Sequence, residues 1–203
     1  MRRGYRGLAA VLAAVVSVGL VAGCSTGDDA VAQNQSNQFV SPDGKIVIDY
    51  PVDERKTVGS VSAPDLVTGE TIDLADYADD VVVINVWASW CAPCRKEFVE
   101  LQAAYDATRD RGVEFLGIDF RDSEAGARDF FSDNHVTYRS MYDYGGATLA
   151  ALGVPVGAVP TTIILDRQHR PAKVFLKAIT TDELTKAVLA VADEDAPGNA
   201  NPQ

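Results

Sequence analysis

Two cysteines stand directly between a strongly apolar segment and a segment with helical periodicity, and this arrangement constrains the fold most. Val81–Trp87 is a nearly unbroken run of apolar and β-branched residues, typical of a strand buried on both faces. Cys91 and Cys94 follow it, and over residues 93–111 apolar side chains recur at spacings of three and four. The chain therefore predicts a buried strand, a tight turn and a helix that begins at the cysteine pair.

The position of Cys91 predicts a reactive thiol. The start of a helix carries free backbone N–H groups and the positive end of the helix dipole, and both can lower a cysteine pKa well below about 8.5. The two-residue spacer places Cys94 one turn further along, within disulfide reach of Cys91. Pro93 suits the first turn, where a missing N–H costs nothing. We therefore expect Cys91 to be the nucleophile and Cys94 the resolving thiol of an exchange through a mixed disulfide.

Two other uses of the pair stay open. One is a structural disulfide. The other is half of a metal site, which would need two further soft ligands. Besides the three cysteines the chain offers only two distant histidines, His135 and His169, which we interpret as surface residues. We therefore expect no metal ion and no cofactor.

Further strands and helices alternate along the chain. Strands are predicted over residues 45–50, 113–118, 161–165 and 173–177, and a hairpin over residues 63–74. Helices are predicted over residues 123–134, over residues 145–152 and from Thr180, which forms a capping box with Glu183. This order predicts an α/β fold in which helices cover both faces of a central sheet.

The N-terminal segment is interpreted as a signal peptide over residues 1–23. Residues 1–7 are basic and residues 8–22 almost entirely apolar, a run of 15 residues where a membrane span needs about 20. The run ends Leu20-Val21-Ala22-Gly23-Cys24, which resembles the lipobox of bacterial lipoproteins. Cys24 is then the expected lipidation site. A plain secretory signal and an uncleaved anchor are the alternatives.

The composition behind Cys24 predicts one folded domain on a tether. Residues 24–44 are polar and form the lipidated flexible tether, residues 45–193 the domain, and residues 194–203 a disordered tail. The formal net charge of −11 argues against a nucleic-acid-binding protein, because such proteins present clustered positive charge. Outside the cytoplasm no glutathione pool keeps thiols reduced, so redox work there needs a dedicated electron donor.

Residues 81–97, which read VVVINVWASWCAPCRKE, resemble the thioredoxin superfamily. The resemblance is closest to the membrane-tethered, extracytoplasmic thiol-disulfide oxidoreductases of the TlpA, ResA and DsbE type, and it covers residues 58–192. It implies a thioredoxin-like fold with a central mixed sheet and an N-terminal β-hairpin extension. It also implies reduction of disulfides in exported proteins, including apocytochrome c before haem attachment. The implied partners are those dithiol or disulfide proteins and a membrane electron donor of the DsbD or CcdA type.

The same resemblance implies a substrate-binding loop. Val159-Pro160-Thr161 matches the cis-proline loop of the superfamily, in which the backbone of Val159 would pair with an extended substrate segment beside the cysteines. An ordinary trans proline at the start of a strand is the alternative. Trp90, together with Trp87, is expected to shield the site from water, and an ordinary core position is the equal alternative for Trp87.

Glu97 is the third catalytic candidate. In the ResA-like group a glutamate three residues after the second cysteine is linked to thiol titration, and this spacing on a helix places Glu97 on the side of Cys94. Asn85 stands where cytoplasmic thioredoxins carry a buried aspartate, and an amide cannot take a proton from Cys94. The alternative is a solvated glutamate in a first helical turn.

Three further functions compete with disulfide reduction. A general oxidant of secreted proteins would use the same cysteine pair, and neither the spacer nor the charge decides the direction. A peroxiredoxin shares the N-terminal part, but its Thr-x-x-Cys pattern is absent because Ala88 stands three residues before Cys91. A copper-binding chaperone of the Sco-like group has Cys-x₃-Cys and a histidine ligand, whereas this chain has a two-residue spacer.

Overall fold

The predicted strand Val81–Trp87 lies near the centre of a six-stranded mixed sheet. The structure is a computed structural model that describes residues 45–153 and 159–194. The predicted signal peptide, the lipidation site Cys24, the tether and almost all of the predicted tail lie outside these residues. The strands are β1 (Val47–Asp49), β2 (Ser62–Pro64), β3 (Thr71–Asp73), β4 (Val81–Trp87), β5 (Val113–Phe120), β6 (Arg139–Asp143), β7 (Thr161–Leu165) and β8 (Pro171–Phe175). The helices are α1 (Ala92–Thr108), α2 (Glu124–Asp133), α3 (Ala147–Leu152) and α4 (Thr181–Glu194).

The sheet order is β1-β8-β7-β4-β5-β6, with β4 parallel to β5 and antiparallel to β7. Strands β2 and β3 pair separately as an antiparallel hairpin, in which Ala63 lies opposite Ile72. Asp65 closes the turn between them by accepting the backbone N–H of Val67 at 2.8 Å and of Thr68 at 3.0 Å. The predicted mixed sheet with its N-terminal hairpin is confirmed.

Helices cover both faces because successive residues of β4 point to opposite sides. Val83 and Trp87 belong to a core that packs against α1, α2 and α4. Ile84 and Val86 belong to a second core, which packs against the hairpin and α3. Each side of β4 is therefore buried, which explains why its sequence is apolar without alternation.

Strand β6 is absent from the sequence prediction because its residues are mostly polar. The structure gives several of these polar groups a partner. Arg139 Nε donates to Asp65 Oδ2 at 2.8 Å, and Ser140 Oγ accepts from Trp87 Nε1 at 3.0 Å. Asp143 accepts the backbone N–H groups of the first turn of α3. A polar strand is stable at this edge because other elements satisfy its side chains.

The capping box predicted at the start of α4 forms only in part. Thr180 Oγ1 accepts the backbone N–H of Glu183 at 3.4 Å, as such a box requires. The carboxylate of Glu183 instead accepts from Lys177 Nζ, at 2.9 and 2.8 Å. In a complete capping box the Glu183 carboxylate would accept the backbone N–H of Thr180. Here that carboxylate binds the ammonium group of Lys177 instead.

Gly117 on β5 is expected to tolerate no side chain. A Cβ atom there would lie 2.5 Å from Ser140 Oγ and 2.9 Å from Trp87 Nε1, so it would break the hydrogen bond between those two side chains. Gly117→Ala should lower the free energy of unfolding by about 1–3 kcal/mol through overpacking. Gly145→Ala is the matched control, because its Cβ would meet no atom closer than 4.0 Å. Equal denaturant midpoints for the two variants would contradict this prediction.

Candidate functional site

Cys91 caps the N-terminus of α1. Its Sγ accepts the backbone N–H of Cys94 at 3.2 Å, and its carbonyl accepts the N–H of Arg95 at 3.1 Å. Pro93 occupies the first turn of the helix. One backbone N–H of this helix terminus, that of Cys94, therefore points at the sulfur of Cys91, and such a donor stabilises a thiolate.

Cys91 and Cys94 are joined in a disulfide, with an S–S distance of 1.99 Å and 5.3 Å between the Cα atoms. The two sulfurs differ in access. Cys91 is 5% exposed, whereas Cys94 is 0% exposed beneath the first turn of α1. Cys91 is therefore the more accessible of the two cysteines.

Glu97 lies in the interior and not on the solvated surface of the helix. It is 2% exposed; its Oε1 accepts from Asn85 Nδ2 at 3.0 Å, and its Oε2 accepts the backbone N–H of Ile179 at 3.2 Å. Burial raises the pKa of Glu97 to about 7, although both hydrogen bonds act to lower it. A carboxyl group with this pKa can exchange a proton near neutral pH.

Asn85 connects Glu97 to the proline loop. Its Nδ2 donates to Glu97 and also to Thr162 Oγ1, the latter at 3.1 Å. Thr162 stands two residues after Pro160, and the Val159–Pro160 peptide bond is cis. Pro160 is buried and Val159 half-buried. Asn85 stands where an aspartate could have acted as an acid. Its amide instead links Glu97 to the proline loop.

The two tryptophans have different environments and form no common shield. Trp87 is fully buried, and its ring lies 4.8 Å from that of Phe98. Trp90 is 58% exposed next to Cys91, and its Nε1 donates to the carbonyl of Arg121 at 3.0 Å. Trp87 is therefore core, whereas Trp90 presents apolar surface beside the reactive sulfur.

Two acidic residues near the site were missed by the sequence reasoning. Asp122 Oδ2 accepts the backbone N–H of Ser89, two residues before Cys91. Asp119 is fully buried at the carboxyl end of β5, and burial together with the charge of Asp122 raises its pKa to about 8. The sequence did contain a signal for Asp119. This acid interrupts the apolar strand β5 near its carboxyl end, at the same edge of the sheet as the cysteines that follow β4.

Cations border the exposed side of the site. Ala92, Arg95, Lys96 and Phe130 line part of an open groove of about 530 Å³ beside the first turn of α1. The guanidinium of Arg95 lies 5.7 Å from the ring centre of Phe130. Positive charge at this end of the helix favours a thiolate on Cys91.

Neither histidine is placed as part of a ligand cluster. His135 is exposed at the end of α2, and Nε2 of His169 lies 3.0 Å from the carbonyl oxygen of Tyr77. Within residues 45–153 and 159–194, no group of three or more His, Cys, Asp and Glu side chains could hold a metal ion. In the same part of the chain no helix combines the length and apolarity that a membrane span requires.

The sequence and the fold of this chain are similar to those of known proteins. The Redoxin family matches residues 42–190. The thiol-disulfide oxidoreductase ResA of Bacillus thuringiensis strain Al Hakam is 25% identical over 134 residues, which are 64% of this chain and 76% of that protein. Among solved structures, a secreted thiol-disulfide isomerase from Corynebacterium glutamicum has a TM-score of 0.74 at 42% identity, covering 78% of this chain and 99% of that one. A DsbF homologue from Corynebacterium diphtheriae has a TM-score of 0.70 at 43% identity, covering 76% and 99% respectively.

Proposed function

The chain belongs to the Redoxin family and is a thiol-disulfide oxidoreductase with a thioredoxin-like fold, and from this premise we propose that it reduces disulfides of exported proteins. The observation that carries the proposal is the placement of Cys91 at the start of α1, bonded to Cys94 and more accessible than Cys94. This arrangement suits a dithiol that cycles between its reduced and disulfide forms.

The first step uses the reduced form of the protein. The Cys91 thiolate attacks one sulfur of a substrate disulfide, and the substrate's other sulfur leaves as a thiolate. A mixed disulfide between Cys91 and the substrate results. The N–H groups at the start of α1, together with Arg95 and Lys96, support the anionic sulfur of Cys91 before the attack.

The second step releases the substrate. Cys94 gives its proton to Glu97, and its thiolate attacks Cys91 Sγ, so that the second substrate sulfur leaves as a thiolate and the Cys91–Cys94 disulfide forms. Two electrons pass from the protein dithiol to the substrate. Because the pKa of Glu97 is about 7, its carboxylate can accept this proton at neutral pH and above.

A substrate segment would lie along the cis-proline loop. The backbone of Val159 would pair with an extended segment beside Cys91, as in peptide binding at a sheet edge. Trp90 supports this placement, since its exposed ring offers an apolar contact next to the sulfur. Pro160 would hold Val159 in position through the cis bond.

The proposed location is the extracytoplasmic face of a bacterial cell membrane, with Cys24 carrying the lipid anchor. The lipobox-like residues 20–24 and the secreted relative from Corynebacterium glutamicum support it. A membrane donor of the DsbD or CcdA type would return the Cys91–Cys94 disulfide to the dithiol. Apocytochrome c before haem attachment is one proposed substrate.

Disulfide isomerisation is the second candidate, because the relative that is 42% identical is a secreted thiol-disulfide isomerase. Isomerisation begins with the same attack by Cys91. A thiol of the substrate itself then displaces Cys91, so the reaction returns the reduced protein and needs no electron donor. The two functions therefore differ in whether Cys94 is required.

Trapping with Cys94→Ser tests the proposed function. Without Cys94 the protein has no thiol of its own that resolves the mixed disulfide on Cys91, so exported proteins should accumulate as adducts that dithiothreitol releases. Mass spectrometry of these adducts would identify the substrate class. The double variant Cys91→Ser/Cys94→Ser is the control and should trap nothing. Equal recovery from both variants, or none from Cys94→Ser, would refute net disulfide reduction as the function.

A further inference from the structure

A buried acid that the exchange steps do not use lies behind the turn that carries Cys91. Asp119 stands on β5 with its Cα opposite Trp87 of β4 and Tyr142 of β6. It is fully buried, and neither of its carboxyl oxygens has a hydrogen-bond partner within the part of the chain that the structure describes. An ionised carboxylate without donors is costly in such a place, so the protonated form is favoured.

The polar group that faces Asp119 is the carboxyl of Asp122. Both oxygens of Asp122 already act as acceptors, Oδ2 from the N–H of Ser89 and Oδ1 from the N–H of Ser123 at 2.7 Å. Two carboxyl groups side by side can bond only if one of them carries a proton. Because Asp119 is more deeply buried than Asp122, the shared proton would reside on Asp119, which would then donate to Asp122.

Asp122 belongs to a loop that holds the turn before α1. Besides the bond to Ser89, the carbonyl of Arg121 accepts Trp90 Nε1 at 3.0 Å, so two consecutive residues before Cys91 are held. The hydroxyl of Tyr142 donates to the carbonyl of Asp122 at 3.2 Å and supports the loop from β6. The position of Asp122 therefore affects how Cys91 is presented.

We propose that Asp119 is a positioning residue for the exchange reaction, which holds Asp122 against Ser89 and thereby fixes the turn that presents Cys91. Asp119 itself touches no substrate. If it loses its proton, two carboxylates face each other, and their repulsion releases Asp122 from Ser89. The inference rests on the proposed function, because its effect is read through the reactivity of Cys91.

The other charged and titratable neighbours leave this pair isolated. Tyr142 of β6 interacts with both carboxyl groups, and Glu124 in the first turn of α2 adds a negative charge beside that tyrosine. Strand β4 contributes the neutral ring of Trp87 at the opposing position. The guanidinium of Arg121 lies 5.1 Å from the ring centre of Phe120, a member of the core on the other face of the sheet. A proton on one of the two carboxyl groups is therefore what removes the repulsion between Asp119 and Asp122.

The test is the pH dependence of the exchange rate, measured with reduced protein and the small disulfide 5,5′-dithiobis(2-nitrobenzoate). In the wild-type protein the rate should rise as the thiols ionise and then fall about tenfold for each pH unit above about 8, as Asp119 loses its proton. Asp119→Asn keeps a donor at every pH. This variant should match the wild-type rate near pH 7 and be about tenfold faster near pH 9.

Two further variants and one NMR spectrum test whether Asp119 is the group responsible for the alkaline fall in rate. Glu114→Gln removes the other acid of β5 and should leave the alkaline fall unchanged, whereas Asp119→Leu removes the donor and should be slow throughout. In wild-type protein labelled with ¹⁵N, the amide signal of Ser89 should titrate near pH 8, which needs no variant. An alkaline fall that persists in Asp119→Asn, or a Ser89 amide signal that does not titrate, overturns the inference. Absence of exchange at every pH in the wild-type protein would instead refute the proposed function.

Discussion

Cys91→Ser is expected to abolish disulfide exchange, with a loss of rate on the order of 10⁴-fold or more. A serine hydroxyl cannot form the anion that the start of α1 stabilises, and removal of a nucleophile has effects of this size or greater in other enzymes. Cys94→Ser should behave differently, because it keeps the accessible sulfur. Its Cys91 should still be alkylated rapidly by iodoacetamide near pH 7, whereas Cys94 in Cys91→Ser should react slowly, since that side chain is fully buried.

The same pair of variants separates the two candidate functions. Net reduction of a disulfide substrate requires both thiols, so Cys94→Ser should lose it. Isomerisation of a scrambled substrate requires only Cys91, so an isomerase would retain most of its rate in Cys94→Ser. Circular dichroism must show that all variants fold alike. Comparable alkylation rates for the two single variants would contradict the assignment of Cys91 as nucleophile.

Glu97→Gln is expected to remove the dependence of substrate release on pH near 7. In the proposed mechanism the carboxylate of Glu97 takes the proton of Cys94, so the release step should speed up as pH rises through about 7. Glutamine accepts no proton, and the rate near pH 8 should fall by about 100-fold, the lower end for loss of a general base. Rapid mixing of the mixed disulfide with buffers between pH 5 and 9 measures this step directly.

Glu100→Gln is the matched control for Glu97→Gln. Glu100 lies one turn further along α1, where its carboxylate accepts the N–H of Thr181 at 2.8 Å and the hydroxyl of the same residue at 2.6 Å. This substitution removes a negative charge from the same helix but should leave the pH profile of release unchanged. If the profiles of Glu97→Gln and wild type coincide, Glu97 has no part in proton transfer.

The raised pKa of Glu97 also has a consequence for stability. The folded pKa of about 7 lies above the ordinary value of 4.5, so folding favours the protonated acid. The stabilisation is complete below about pH 4.5 and is lost as pH rises through 7, a change that corresponds to about 3 kcal/mol. The buried acid that supports proton transfer therefore makes the oxidised protein less stable at neutral pH.

Local patterns in the sequence were sufficient to predict where the cysteine pair lies. The apolar run of β4 is typical of a strand buried on both faces, and Pro93 with the apolar spacing after it is typical of the start of a helix. The cysteine pair therefore had to lie at the junction between strand and helix. All of these signals lie within residues 81–111, a single continuous stretch of the chain.

The polar surroundings of that centre could not be predicted in the same way. Strand β6 was missed because its Arg139 and Ser140 are stabilised by Asp65 and Trp87, residues more than 50 positions away. The sequence indicated the side of α1 on which Glu97 lies. It contained no sign that Ile179, 82 positions later, would donate to the same carboxylate.

The sequence by itself determined that a strand delivers Cys91 and Cys94 to the start of a helix, because hydrophobic periodicity and helix-terminus chemistry are local. Only the tertiary structure decided the proton affinities around them. Glu97 and Asp119 have raised pKa values because segments distant in sequence exclude water from them, and desolvation depends on everything that packs around a group. The placement of the cysteines is thus a property of the local sequence, whereas the proton affinities of the acids around them are a property of the fold.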